Sequence, residues 1–543
     1  MKTKQVPTQP LNEVAMQVNQ ANLVKNLRFS FTNQTTVLGE LMQNSRRAQA
    51  TQVKFNYCAE TNVLEVSDDG VGIDSIETLL TVAESGWDAE LVANEHPFGM
   101  GFLSALFACR HLTVVSKSGR IAAETEAILA FKPVTVTPVL DWDGLTVLTL
   151  AGVTLAVDDI QATLKRLACG FPIPVVFNEV VLDRPQALDA GLHFVDTELG
   201  AVHLVGVDQP AGSCSEFEVF LQGLPIYRSY LGYGGCKRHS VHLESARFYA
   251  RLPDRDKLID EAEVISWVRA VLADELEKTL MARKATVSAL DFVGYYELIK
   301  HWHLLRLLND VPVLPCQILA EFDDYPNCDT DCYGAFTSTL NKPLTRAEVE
   351  AREVVEIEAS IRDEGAALFM FAWQRDALLY EGGLDEGHWL HPLIRHLDEE
   401  ALSIEPVNES HSAVFEGQWI SVPVRFCDAY RIRVGTDVVE FTDDAFYEGE
   451  DKGGTVLVPR GDASGYVLKQ LSSYRSEYDD FQESTHESDR EAFAAFVIAN
   501  TATDPAEALQ RLLPGFSGCP ALYGKSFVIN LNALGRVASV CAA

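Results

Sequence analysis

The chain has 543 residues, 47% of them hydrophobic and 22% charged, with a formal net charge of −34. That length exceeds one compact core and predicts about three or four domains. The charge repels DNA, RNA and anionic membranes at long range, so direct nucleic-acid binding is disfavoured and would need a local basic patch, of which Arg46-Arg47 and Lys237-Arg238 are small examples. The N-terminal arm is polar, and no run approaches the roughly 18 apolar residues of a membrane span. The 11 cysteines lack paired spacing, which predicts reduced thiols in a cytoplasmic protein with no membrane partner.

Residues 1–20 read as a polar arm with Pro7 and Pro10. A helical pattern then runs through Leu38, Leu41 and Met42 to about Ala50. Strand patterns follow at 53–57 and 63–66, alternating apolar with polar. Helices fit 75–84 and 102–109, and strands fit 112–115, 127–137 and 146–150. This order predicts an N-terminal α/β sandwich over 21–154, a mixed and mostly antiparallel sheet with helices on one face. A second α/β unit over 155–290 opens with a helix at 160–169 and ends in a long helix from Glu261 to about Met281. A helical connector over 291–375 and an α+β domain over 376–543 complete the chain. Residues 366–373 read as a buried strand or helix. The acidic stretches 443–454 and 472–490 read as solvated loop or helix surface.

Three motifs carry chemistry. In Gly39-Glu40-Leu41-Met42-Gln43-Asn44, Glu40 and Asn44 are one helical turn apart and share a face. A carboxylate so placed can deprotonate a water, and an amide oxygen can ligate Mg²⁺. In Asp68-Asp69-Gly70-Val71-Gly72-Ile73, a carboxylate at a strand end precedes two glycines that allow close backbone approach to a flat ligand. Asp68 can accept a hydrogen bond from an exocyclic amine such as adenine's. In His96-Pro97-Phe98-Gly99-Met100-Gly101-Phe102, two glycines open an apolar helix, whose backbone N–H groups suit phosphate. Each pattern alone is common. Neither a dinucleotide fingerprint nor a P-loop is present.

Their order and spacing resemble the GHKL superfamily of gyrase B, heat-shock-chaperone, histidine-kinase and MutL-like ATPases, over about residues 20–150. The resemblance implies a Bergerat α/β sandwich that binds ATP and Mg²⁺. It further implies Glu40 as general base, Asn44 as Mg²⁺ ligand and Asp68 as adenine reader. Gly70 and Gly72 would allow close approach, with Ile73 lining the base pocket. Phe98, Gly99 and Gly101 would lie at the end of a short lid, and Gly86 and Thr146 at the remaining adenine-site positions. Arg47 departs from the Asp that chaperone and MutL members carry. Gyrase-like and MutL-like members also send a lysine from the adjoining domain to the γ-phosphate. Lys257 is the first candidate for that role and Arg255 the second, on the strand-then-loop segment 249–258.

The implied function is an ATP-hydrolysing conformational switch, working through lid and domain closure. It would have an ATP-dependent homodimer and an unidentified protein client as partners. The alternatives are a MutL- or gyrase-like nucleic-acid-processing or host-defence ATPase, against which the net charge counts, and a histidine-type protein kinase. The kinase reading lacks a helix bearing a phosphoacceptor histidine before the ATP domain. His388, His391 and His396 with Asp398 read as ordinary surface or core residues rather than metal ligands, and Cys328 and Cys332 lack a partner pair for zinc.

Overall fold

A computed structural model describes residues 19, 24, 26–27, 35–81, 86–87, 91–92, 95, 101–210, 216–229, 238–251, 255–322, 337–358, 366–398, 401–449, 453–463, 465, 467–472, 474–513 and 515–543. The chain divides into two compact units, Met1–Leu304 and Leu305–Ala543.

The first unit opens with helix α1 (Thr36–Arg47), which buries Val37, Leu38, Leu41 and Met42 along one stripe, as a period of 3.6 demands. Strands β1 (Val53–Cys58) and β2 (Val63–Asp68) follow, then a short helix α2 (Ile76–Leu79) and helix α3 (Gly101–Ala108). Strands β3 (His111–Ser116) and β4 (Gly119–Glu124), helix α4 (Thr125–Leu129) and strand β5 (Thr146–Ala151) come next. Helix α5 (Val157–Ala168) leads to strands β6 (Val175–Phe177) and β7 (Val180–Val181). The sheet order is β4-β3-β5-β2-β1-β6-β7; β1 and β6 are parallel and the other pairs antiparallel. Val53 and Phe55 of β1 are buried while Lys54 and Asn56 are exposed. The buried sides of β1 to β5 share one core with α1, α3 and α5, so these helices cover one face of the sheet.

Two expectations change here. The region 127–137 holds no long strand: Ala127-Ile128-Leu129-Ala130 lacks period-2 alternation and finishes α4, whereas the alternating Gly119–Glu124 forms β4. The first domain also outruns residue 154. Helix α5 joins its core, and β6 extends its sheet through the register Val53↔Val175.

A second sheet has the order β11-β10-β12-β9-β8, built from β8 (Val195–Thr197), β9 (Gly200–His203), β10 (Phe217–Leu221), β11 (Leu224–Arg228) and β12 (His239–Leu243). Helix α6 (Glu261–Lys284) follows and buries Ile265, Val268, Leu272, Leu276 and Leu280.

In the second unit the expected helical connector is helical only in part. Strands occupy Val313–Leu314, Leu319–Phe322, Thr337–Thr339, Leu344–Thr345 and Val354–Glu356, and the runs that form them are too short to show a period in the sequence. The apolar 366–373 segment is a helix, Ala366–Gln374, with Leu368, Met370 and Phe371 buried. Nor is 472–490 only solvated surface. Asp489 is buried because it accepts hydrogen bonds from the Gln418 and Trp419 amides at 2.6 and 3.2 Å and from the buried Tyr474 hydroxyl at 3.1 Å. Phe446 within 443–454 is likewise buried. The chain ends in a hairpin of Phe527–Leu531 and Val537–Ala542, and every residue from 515 to 543 except Ile529 is exposed. Among the described residues no helix is long and apolar enough to cross a membrane.

Candidate active site

Helix α1 brings the first motif against the head of α3. Glu40 is buried, and its carboxylate fills the space where a Cβ on residue 101 would stand: such an atom would overlap Oε2 and lie 2.9 Å from Cδ. A side chain at 101 would have to displace that carboxylate. The carboxylate thus meets the start of a helix, where backbone N–H groups are unsatisfied and the dipole is positive. Its other oxygen, Oε1, lies 3.0 Å from Arg255 Nε of the second domain. That N–H is buried and not aligned as a hydrogen bond, so the contact is Coulombic. Lys257 is exposed two residues further on, its carbonyl accepting from the Arg251 amide at 2.7 Å. Asn44, one turn after Glu40, is half-buried, and its side chain has no hydrogen bond among the described residues. An amide oxygen left without a donor beside a carboxylate fits a hard cation that keeps most of its shell for water and phosphate.

Asp68 ends β2 behind the C-terminal part of α1. Its Oδ2 accepts from Ser45 Oγ at 3.1 Å and its Oδ1 from the Gly70 amide at 3.0 Å. Burial pushes its carboxyl above the ordinary value, and those two donors offset only part of the effect. A Cβ at Gly70 would lie 2.6 Å from the Ala48 carbonyl oxygen, so this turn demands glycine. Thr146 stands directly opposite Asp68 in the β2–β5 register. Its hydroxyl bonds Ser116 Oγ at 2.9 Å, and that oxygen accepts from the Ile73 amide at 2.9 Å. Ile73 packs on the core, Gly72 adopts φ +77°, and Gly86 is exposed beside Thr78. Phe98 and Gly99 lie outside the described residues.

Arg47 turns away from the Asp68 group. Its Nε donates to Glu95 Oε2 at 3.0 Å, beside Arg46 at 2.5 Å. Burial raises the Glu95 carboxyl, but the two guanidiniums outweigh it and hold it below its usual range. Arg47 itself is depressed, first by burial and then by Arg255. Gln222, in the turn between β10 and β11, ties these groups together. Its Oε1 accepts from Arg47 and Arg255, both at 3.4 Å, and its carbonyl from Gln43 at 3.3 Å, while its Nε2 donates to the Glu95 carbonyl at 3.3 Å.

Residues 32–132 match the family model for histidine kinase-, DNA gyrase B- and HSP90-like ATPases. This stretch therefore resembles GHKL-type domains, over about a fifth of the chain. No curated protein matches it. The matched span includes Glu40, Asn44, Asp68 and Gly101 and stops before Thr146. The domain is an ATP-binding domain of the GHKL type. Within it the structure joins Glu40 to Gly101, and Asp68 to Gly70, Ser45 and the Thr146 strand. Ser45, Ser116 and Gln222 have no sequence signal of their own. Each is found only through helical spacing, strand register or a turn from another domain.

Proposed function

We propose that the chain is a Mg²⁺-dependent ATPase whose hydrolytic state is coupled to the position of its second domain. The observation that carries this reading is the seat of Glu40, fixed between the head of α3 and Arg255. Adenine's exocyclic amine would donate to Asp68, with Ile73 beside the ring. The phosphates would lie toward the N–H groups at the head of α3. Asn44 would hold Mg²⁺, which when bound neutralises phosphate charge. Glu40 is placed to orient the attacking water and accept its proton. Arg255 neutralises Glu40 in this structure; as negative charge develops on the transferred phosphoryl group, the same guanidinium can serve that charge instead. Because Arg255 belongs to the second domain, nucleotide state and domain position are then linked.

Glu40→Ala is expected to retain ATP binding and lose ~10²- to 10⁴-fold in turnover, the usual contribution of a positioned base. Asp68→Asn is expected to lose binding itself. Calorimetry with ATP and a phosphate-release assay separate the two. Unchanged turnover in Glu40→Ala would sink the base assignment.

A further inference from the structure

A cavity of about 480 Å³ opens beside the catalytic helix. Glu40 and Arg255 form one part of its wall, and Thr163, Arg166, Glu218 and Arg228 another. We propose that this cavity is the exit site for the inorganic phosphate made at Glu40, with Arg166 and Arg228 drawing the anion outward. The inference rests on the hydrolytic reading above.

The order of groups along α1 supports it. Ser45 contacts the adenine reader Asp68; Asn44 and Glu40 come next toward the N-terminus; Gly39 and Thr36 then line the cavity. From Ser45 to Thr36 the helix advances ~13 Å. Asn44, Glu40 and Thr36 are spaced four residues apart and share one face of α1, so the metal-ligand candidate, the base and the cavity wall follow one another along that face. In the hydrolysis the water oxygen forms a bond to the γ-phosphorus, the bond from phosphorus to the ADP oxygen breaks, and Glu40 takes the water's proton.

Charge and burial follow the same direction. Glu40 is 6% exposed, Arg255 is half-buried, and Arg166 and Arg228 are exposed. Arg255 is paired with Glu40, and Asp256 of the cavity wall is paired with Arg251 at 3.2 Å. Arg166 and Arg228 have no ion pair among the described residues, and a guanidinium's fork of donors matches phosphate oxygens. Glu218 stands opposite Arg228 in the β10–β11 register, buried and also without an ion pair among the described residues. Its carboxylate opposes a dianion, so the site attracts phosphate without trapping it. A product route requires that balance.

The test compares ATP cleavage by acid quench with phosphate release by a fluorescent phosphate reporter, in one turnover of the full chain. In the unaltered protein, release is expected to keep pace with cleavage. In Arg166→Ala/Arg228→Ala, release should lag cleavage and inhibition by added inorganic phosphate should weaken about tenfold, the scale of a lost charged hydrogen bond. The Arg166→Lys/Arg228→Lys variant should restore most of both. Both arginines are exposed, so the substitutions spare the core; retained ATP binding checks this. Release that keeps pace with cleavage in the alanine variant, with unchanged phosphate inhibition, overturns the proposal. Absence of cleavage in the unaltered protein overturns the hydrolytic reading and this proposal with it.

Discussion

At Gly101 a missing side chain and a present one share the same space. The Glu40 carboxylate lies where a Cβ would be, so Gly101→Ala must push the carboxylate aside. We expect about 100-fold slower turnover, the scale of a ~1 Å misplacement at a reacting group. Stability should fall by only about 1–3 kcal/mol for the added methyl. Phosphate release and thermal melting measure the two, and full activity in this variant would mean that Glu40 is free to work from another position. Both residues were legible in the sequence, because Glu-x-x-x-Asn and Gly-x-Gly are local patterns. Their contact was not, since it depends on how α1 packs against α3. Lys257 ranks ahead of Arg255 in the sequence only because the resembling families use a lysine at this place. Which side chain reaches Glu40 depends on local backbone geometry: Arg255 adopts φ +53°, and short spacing cannot reveal that.

At the level of elements, the β10–β11 turn carries a set of polar contacts from the second sheet to the first domain. Gln222 sits at φ +55° before Gly223 at φ +81°, so the turn presents one polar side chain to Arg47, Arg255 and the Glu95 carbonyl. Gln222→Gly keeps that backbone and removes the contacts. Chemical denaturation should show a loss of about 1–2 kcal/mol, as expected for a few long, partly buried hydrogen bonds. Turnover should fall far less than in Glu40→Ala, because the reacting groups remain. A loss of turnover equal to that of Glu40→Ala would instead place Gln222 at the chemistry. The strands and helices of this region were mostly readable from periodicity. Two features escape it: β4 alternates in burial, but with Gly119, Ala122 and Ala123 among its 6 residues the alternation is faint in the sequence, and the parallel pairing of residues 53 and 175 that ties β6 to the first sheet leaves no local trace.

At the level of the whole molecule, the terminal hairpin contrasts with the rest. Phe527, Ile529 and Leu531 pair with Ala542, Val540 and Val537, giving one apolar face, and Leu534 at the tip is 79% exposed. A two-stranded hairpin alone is only marginally stable in water. Removing residues 515–543 should therefore leave the main thermal transition within about 2 °C of the intact chain, since little buried area is lost. Limited proteolysis followed by mass spectrometry should place the earliest cleavages in this segment; protection there would show that it is covered. The other large-scale feature is α6, which begins six residues after Arg255 and runs for 24 residues. That makes it a rod about 36 Å long. If Arg255 lets go of Glu40 and the start of the rod tilts by ~5°, its far end sweeps ~3 Å by simple leverage on that length. An exchange of partners at one guanidinium, too small to change any fold, would then become a displacement the size of a side chain, 24 residues away along the rod.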